Sequence, residues 1–163
     1  MIVHRYVTQA SIVVAAVVAF FTLGCSGNGG DGPGETAGIK GSPESAVKEL
    51  FEMIDKQQWG RHWESIHPEQ QKFIPKAKFV ECAEASDLPR IDSVKVLEVY
   101  DEPTDIPGTG LSADSKALTV ELKVSQGLLK NESRDTFHLI AVDGRWRWIV
   151  SDLQPYKDGK CPN

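Results

Sequence analysis

Histidine, acid and tryptophan side chains are the groups in this chain with the means to do chemistry, and their spacing says which chemistries are open. His62 and His67 flank Glu64 in "WGRHWESIHPEQQ". A helical zinc site of the HExxH kind needs its two histidines four residues apart, on one helix face. Five residues put these two on different faces, so exposed or helix-capping histidines are expected and no metal is called for. Ser133, Asp135 and His138 are the residue types of a nucleophile, an orienting acid and a base. On a strand, odd and even positions project to opposite faces, so these three do not form a triad. Asp92, Tyr100 and His138 could supply an acid and a base to a pocket, with Trp146 and Trp148 as aromatic walls. Tyr100, His138, Trp146 and Trp148 are therefore the candidate pocket residues, and no catalytic residue is assigned. No cofactor motif is present: the glycine-rich run Ser26–Gly41 lacks the GK[ST] of a phosphate loop.

The segment ahead of that run bears on location. "MIVHRYVTQASIVVAAVVAFFTLG" carries Arg5 near its start, then an apolar stretch, then small residues. That is the plan of a secretory leader. An uncleaved membrane-spanning helix is the alternative, since Tyr6 to Gly24 approaches the required length of about 20 residues. "TLGC", with Gly24 before Cys25, resembles the lipobox of bacterial lipoproteins, although Thr22 stands where leucine is commonest. The resemblance implies cleavage before Cys25 and acylation of its thiol. It also implies attachment to a membrane of the cell envelope, with the domain outside the cytoplasm. One acyl chain holds only reversibly, whereas the two or three chains of a lipoprotein cysteine hold stably. The expected organisation is a signal peptide at 1–24, a lipidated cysteine with a flexible glycine-rich tether at 25–41, and one domain at 42–163.

Charge and the remaining cysteines follow from that plan. The 163-residue chain has a formal net charge of −5. Arg5 is the sole Lys or Arg ahead of Cys25, so cleavage leaves 17 cations against 23 acids, a net of −6. Such a balance argues against nucleic acid and against a polybasic membrane patch. With Cys25 acylated, Cys82 and Cys161 are left as one pair in a compartment where disulfides persist. Neither lies in a CxxC, so a structural disulfide is expected, with two free thiols as the alternative.

The positioning elements read as helices first and strands after. "SPESAVKELFEMIDKQQW" has Ser42 placed to cap, Pro43 at the first helical position and Glu44 in the first turn. Val47, Leu50, Phe51 and Ile54 make one apolar stripe, which predicts a helix ending near Gln57. Two short helical pieces follow, then a helix over Pro75–Ser86. "RIDSVKVLEVYDE" reads as a strand with Val94, Val96, Glu98 and Tyr100 on one face. "PTDIPGTGLSADS" reads as a turn-forming connection, and "KALTVELKVSQG" as a half-buried strand. Asp143-Gly144 is the strongest hairpin signal, with Trp146, Trp148 and Val150 on one face of the last strand and Arg145, Arg147 and Ile149 on the other. Trp148 should be largely buried. The tail "QPYKDGKCPN" should fray unless tied covalently.

Helices followed by about four antiparallel strands predict an α+β domain. The "SPESAV" helix start, the "W…WESIHPEQQ" segment and the "VDGRWRWIVSD" hairpin resemble the nuclear transport factor 2-like (cystatin-like) superfamily, and in particular its small bacterial lipoproteins. The resemblance covers about residues 42–155 and implies a curved sheet wrapped as a cone around the first helix. It further implies a lipid-anchored, non-catalytic protein that binds a small apolar ligand or another envelope protein. A lyase or isomerase using the cone, or a structural docking module, are the alternatives.

Overall fold

A computed structural model describes residues 37–162; the leader, Cys25 and most of the expected tether lie outside the described residues. Helix α1 (Pro43–Asp55) begins where its cap predicts, with the Ser45 N–H donating to Ser42 Oγ at 3.2 Å. It ends two residues short of Gln57, because Gln57 adopts a left-handed φ of 53° and closes the helix. The Gln58 N–H then reaches back to the Met53 carbonyl at 2.8 Å, the six-to-one bond of a Schellman ending. Short helices α2 (Trp59–Glu64) and α3 (Pro68–Gln71) follow, then α4 (Lys76–Ala85).

Four strands complete an antiparallel meander in the order β1 (Arg90–Ile106), β2 (Leu111–Gln126), β3 (Leu129–Val142) and β4 (Arg145–Trp148). The architecture is α+β, helices preceding a curved open sheet. The expected long connection between β1 and β2 is a correction: both strands run through it and only Pro107–Gly110 turns. Cross-strand contacts supply the reason. Lys116 pairs with Asp101 across the ladder, and the Ser115 hydroxyl donates to the Glu102 carbonyl at 2.6 Å. Pro103 is tolerated because β1 is an edge strand. Gly108 in the turn has φ 76°, and a Cβ there would sit 2.8 Å from Leu153.

A second correction concerns the faces of β1. The register shifts between Val96 and Glu98, a bulge that moves Val99 onto the core side and leaves Glu98 and Tyr100 outside. The hairpin at Asp143-Gly144 forms as expected, with φ of 51° and 70°, the two left-handed residues of a type I′ turn.

Two cores result. In the first, Ala46, Val47, Leu50 and Phe51 of α1 pack on Leu118, Val120 and Leu139, with Phe51 and Phe137 meeting edge to face at 5.2 Å. The second gathers Ile66, Ile74, Phe79, Cys82, Leu153 and Tyr156 between the short helices and the C-terminal tail. The tail is not the unanchored strand of residues that its composition suggests. It forms a short helix α5 (Gln154–Lys157), and Leu153 and Tyr156 are buried. Ile39, expected in the flexible tether, is also buried and exchanges two hydrogen bonds with Trp146, so the folded part begins ahead of residue 42.

Gln70 ties these parts together. Its side chain is fully buried, donates to the carbonyls of Pro107 and Val150, and accepts from the Val150 N–H at 2.8 Å. Gln70→Leu keeps the volume but leaves three backbone groups unpaired. It should cost about 3 kcal/mol or more in denaturant unfolding; an unchanged midpoint and slope would show that those groups find water instead.

Cys82 and Cys161 place their sulfurs 2.11 Å apart, with Cα atoms 5.2 Å apart and a sequence separation of 79. Closing a loop of that length is worth up to about 4.5 kcal/mol by chain entropy. Cys161→Ser should therefore lower unfolding stability by a few kcal/mol, and thiol titration of oxidised, denatured wild-type domain should find neither thiol free. Two titratable thiols would remove the tie.

Candidate functional site

The four candidate pocket residues do not converge. Tyr100, Ala117 and His138 pair in one row across β1, β2 and β3 and so share a face. Trp146 and Trp148 pair with Ala141 and Leu139, which project to the opposite face from His138. Tyr100 is 42% exposed. Trp146 uses its indole N–H to hold the Gly41 carbonyl at 2.8 Å, fixing the approach to α1. Trp148 is partly buried, its Nε1 fully so, and it lies between the two cores, touching both.

His138 sits beside a hydroxyl and a carboxylate, in an arrangement that looks nucleophilic until its protons are placed. Its Nδ1 lies 3.1 Å from Ser115 Oγ, and its Nε2 lies 3.9 Å from Glu102 Oε2. The Ser115 proton is committed to the Glu102 backbone carbonyl, so Nδ1–H must be the donor to Ser115 Oγ. With the Ser115 hydroxyl donating to that carbonyl, the imidazole does not hold the serine proton in this arrangement. Asp92 lies far along β1, held by Arg90 at 2.7 Å and Ser125 at 3.1 Å, with its carboxyl below the usual range chiefly through the Arg90 hydrogen bond. Ser133 donates to Asp135 on the exposed arm, apart from His138 as the alternation requires.

The last strand buries an arginine on the face opposite its tryptophans. Arg147 is 5% exposed, and its guanidinium donates to the Glu64 carbonyl while lying against Gly38. Segments 37–41 and 64–67 flank β4 and cover the side chain, so alternation along the strand does not decide its exposure. Burial holds its pKa below the ordinary arginine value.

His67 caps a helix, one of the two roles expected, whereas His62 is neither exposed nor capping, and both are buried. His67 precedes α3 and accepts the Glu69 N–H through Nδ1 at 3.3 Å, and burial lowers its pKa. His62 is 6% exposed, and neither ring nitrogen has a partner. Its ring stacks on Trp148 at 4.8 Å, meets Phe79 edge to face at 5.2 Å and lies 6.2 Å from Trp59. The signal for this aromatic box was the Trp59–His62 spacing of three, which sets both on one helix face. Among the described residues no group of three or more His, Cys, Asp and Glu side chains is placed to hold a metal.

Beside the box opens a cleft of about 320 Å³, lined by Ile54, Asp55, Trp59, Glu84, Asp87 and Arg90 among others. It is an open groove with three carboxylates and one guanidinium, not an enclosed apolar cavity.

No family model matches the chain, and no curated protein matches it. Among solved structures, it is similar to the solution structure of a SEC-C motif containing protein from Rhodopseudomonas palustris, at 14% identity and a TM-score of 0.48. The likeness covers 67% of this chain and 76% of that one. At that level it carries no inference about activity. Among the described residues no helix is long and apolar enough to cross a membrane.

His62 makes the stability of the domain pH-dependent. Desolvation pushes its pKa down from 6.5 to about 4 in the folded state. Between those values the unfolded chain binds the proton and the folded one does not, so stability is full above pH 6.5 and falls as the pH drops towards 4. The loss from this residue should be on the order of 3 kcal/mol. His62→Phe should flatten that part of the unfolding-stability profile; an identical slope would assign the pH dependence to other groups.

Proposed function

We propose that this chain is a lipid-anchored protein of a bacterial cell envelope, held by acylated Cys25, whose domain is non-catalytic and binds another envelope protein. The domain is read as a compact member of the nuclear transport factor 2-like group, a reading supported by α1 packing on β1, β2 and β3 of a curved antiparallel meander. The observation that favours a protein partner over a small apolar ligand is the filling of the space between α1 and the sheet. Val47, Leu50, Leu118, Val120 and Leu139 are each at most 2% exposed there, and the opening left between α1 and β1, about 270 Å³, is lined by Lys48, Glu52, Asp55 and Asp92 as well as Phe51 and Ile91. A pocket ligand would require that volume to be open. The divergence of Tyr100 and His138 from Trp146 and Trp148 separates the expected acid and base from the expected aromatic walls, which weighs against the lyase or isomerase reading.

The anchor reading is carried by "TLGC" and tested directly. Growing the host with a labelled fatty acid should label the wild type, and Cys25→Ser should abolish the label and leave the precursor uncut. Intact-mass measurement of wild type showing an unmodified Cys25 behind an uncleaved leader would overturn it.

A further inference from the structure

The sheet has two open strand edges, and they are built differently. The β1 edge is guarded. It carries Pro103 and two register shifts, and its Ile91 N–H is taken by Asp55 Oδ1 at 3.3 Å. These are the devices by which proteins prevent strand addition. The β3 edge has neither proline nor register shift, and its one locally held donor is the Glu132 N–H, on Asn131 Oδ1 at 3.0 Å. β4 covers only Leu139–Val142, leaving Leu129–His138 without a neighbour on that side. This run contains no proline or glycine, and its register with β2 is unbroken from Gln126↔Leu129 to Lys116↔Leu139. Residues 129–136 are all exposed.

The direction of the free backbone groups follows from the two tight turns. Leu129 faces Gln126 across a two-residue turn, and Val142 faces Arg145 across another. Pairs that flank such turns exchange their hydrogen bonds. Odd-numbered residues of β3 therefore bond to β2, and even-numbered ones turn their N–H and C=O outward. Lys130, Arg134 and Thr136 turn their backbone donors and acceptors outward with Glu132 between them, whose N–H is held by Asn131 Oδ1 at 3.0 Å, an exposed side chain that a pairing strand would displace.

We propose that this edge is a self-association surface, on which β3 of a second copy pairs antiparallel about a two-fold axis through Ser133. The charges select that register. With Ser133 opposite Ser133 of the other copy, Glu132 lies opposite Arg134 and Arg134 opposite Glu132. Within one chain Arg134 already pairs with Glu121 at 3.0 Å, and Glu132 with Lys123 at 3.3 Å. Joining two copies extends these into rows of alternating sign across four strands: Glu121, Arg134, then Glu132 and Lys123 of the second copy. A shift of two residues in either sense sets Glu132 against itself with Lys130 against Arg134, or Arg134 against itself. Like charges directly opposite are unfavourable. A shift of four towards the turn keeps complementary charges but shortens the ladder. The chosen register forms about eight backbone hydrogen bonds across the join. It also sets Leu129, 76% exposed, opposite Phe137 of the other copy, giving an exposed apolar side chain a partner. The inference does not rest on the lipid anchor.

Engineered cross-linking of the full chain tests it, with Cys25→Ser in every variant so that the introduced cysteine is the one left outside the Cys82–Cys161 disulfide. Opposite residues of a non-hydrogen-bonded pair lie about 4.5 Å apart at Cα, within disulfide reach. Ser133→Cys, oxidised with copper phenanthroline, should give a species of twice the monomer mass on a non-reducing gel. Lys95→Cys on the guarded edge should stay monomeric. Adding Arg134→Glu to Ser133→Cys should reduce the dimer about tenfold, since both copies then set like charges opposite each other. Glu132→Pro is the second variant: residue 132 donates outward, so proline removes no bond to β2 and should also abolish the dimer. Circular dichroism melting establishes that each variant is folded. A monomeric Ser133→Cys protein, equal cross-linking by Lys95→Cys, or a dimer that survives both Arg134→Glu and Glu132→Pro overturns the proposal. A product formed only with some other protein does so too, and would mean that the edge takes a different chain.

Discussion

The structure depends on a four-residue strand that is hydrogen-bonded on both sides. β4, Arg145–Trp148, pairs with β3 through its arginines. Through its tryptophans it pairs with two separate pieces of chain. Trp146 exchanges hydrogen bonds with Ile39 at 2.8 and 3.0 Å. The Trp148 N–H donates to Ser65, and its carbonyl accepts from His67. A strand this short would otherwise be an exposed edge with unpaired donors and acceptors. Satisfying them draws the chain ahead of α1 and the α2–α3 link to the same place. That placement sets where α1 lies on the sheet and where the second core can form.

Trp148 lies at the junction so created, against the α1 core on one side and the short-helix core on the other. The junction is partly polar. His62 and Trp148 bury nitrogen atoms that have no partner, and Arg147 buries an unpaired Nε. Such groups are costly in low dielectric. Stacking of His62 on Trp148 and the bond from Arg147 to Glu64 offset part of that cost. Gln70 shows the opposite solution a short distance away, a buried amide with its donor and acceptor both engaged.

The same sheet treats its exposed edges unequally. Bulges, a proline and the Asp55 carboxylate interrupt β1, while β3 beyond β4 is regular and has no strand beside it. That regularity coexists with an α1–sheet core whose central side chains are buried, and with an open polar cleft beside the aromatic box.

Local physics made several features legible in the residues alone. The α1 start needs only Ser42, Pro43 and the apolar stripe, and the Asp143-Gly144 turn needs only two residues that accept positive φ. The helix-then-strand order followed from a change of period from 3.6 to 2. Other features depend on contacts between distant segments, which a one-dimensional pattern does not carry. The bulge after Val96 reversed the faces of β1, and cross-strand pairs turned an apparent loop at 103–115 into strands. Arg147 and His62 are buried because separate segments close over them, although their types and positions suggest exposure. The candidate pocket dispersed for the same reason: alternation assigns a side chain to a face, but only the assembled sheet decides what covers that face. Composition alone determined that the chain is acidic and that Cys82 and Cys161 could pair, and tertiary packing decided that they meet.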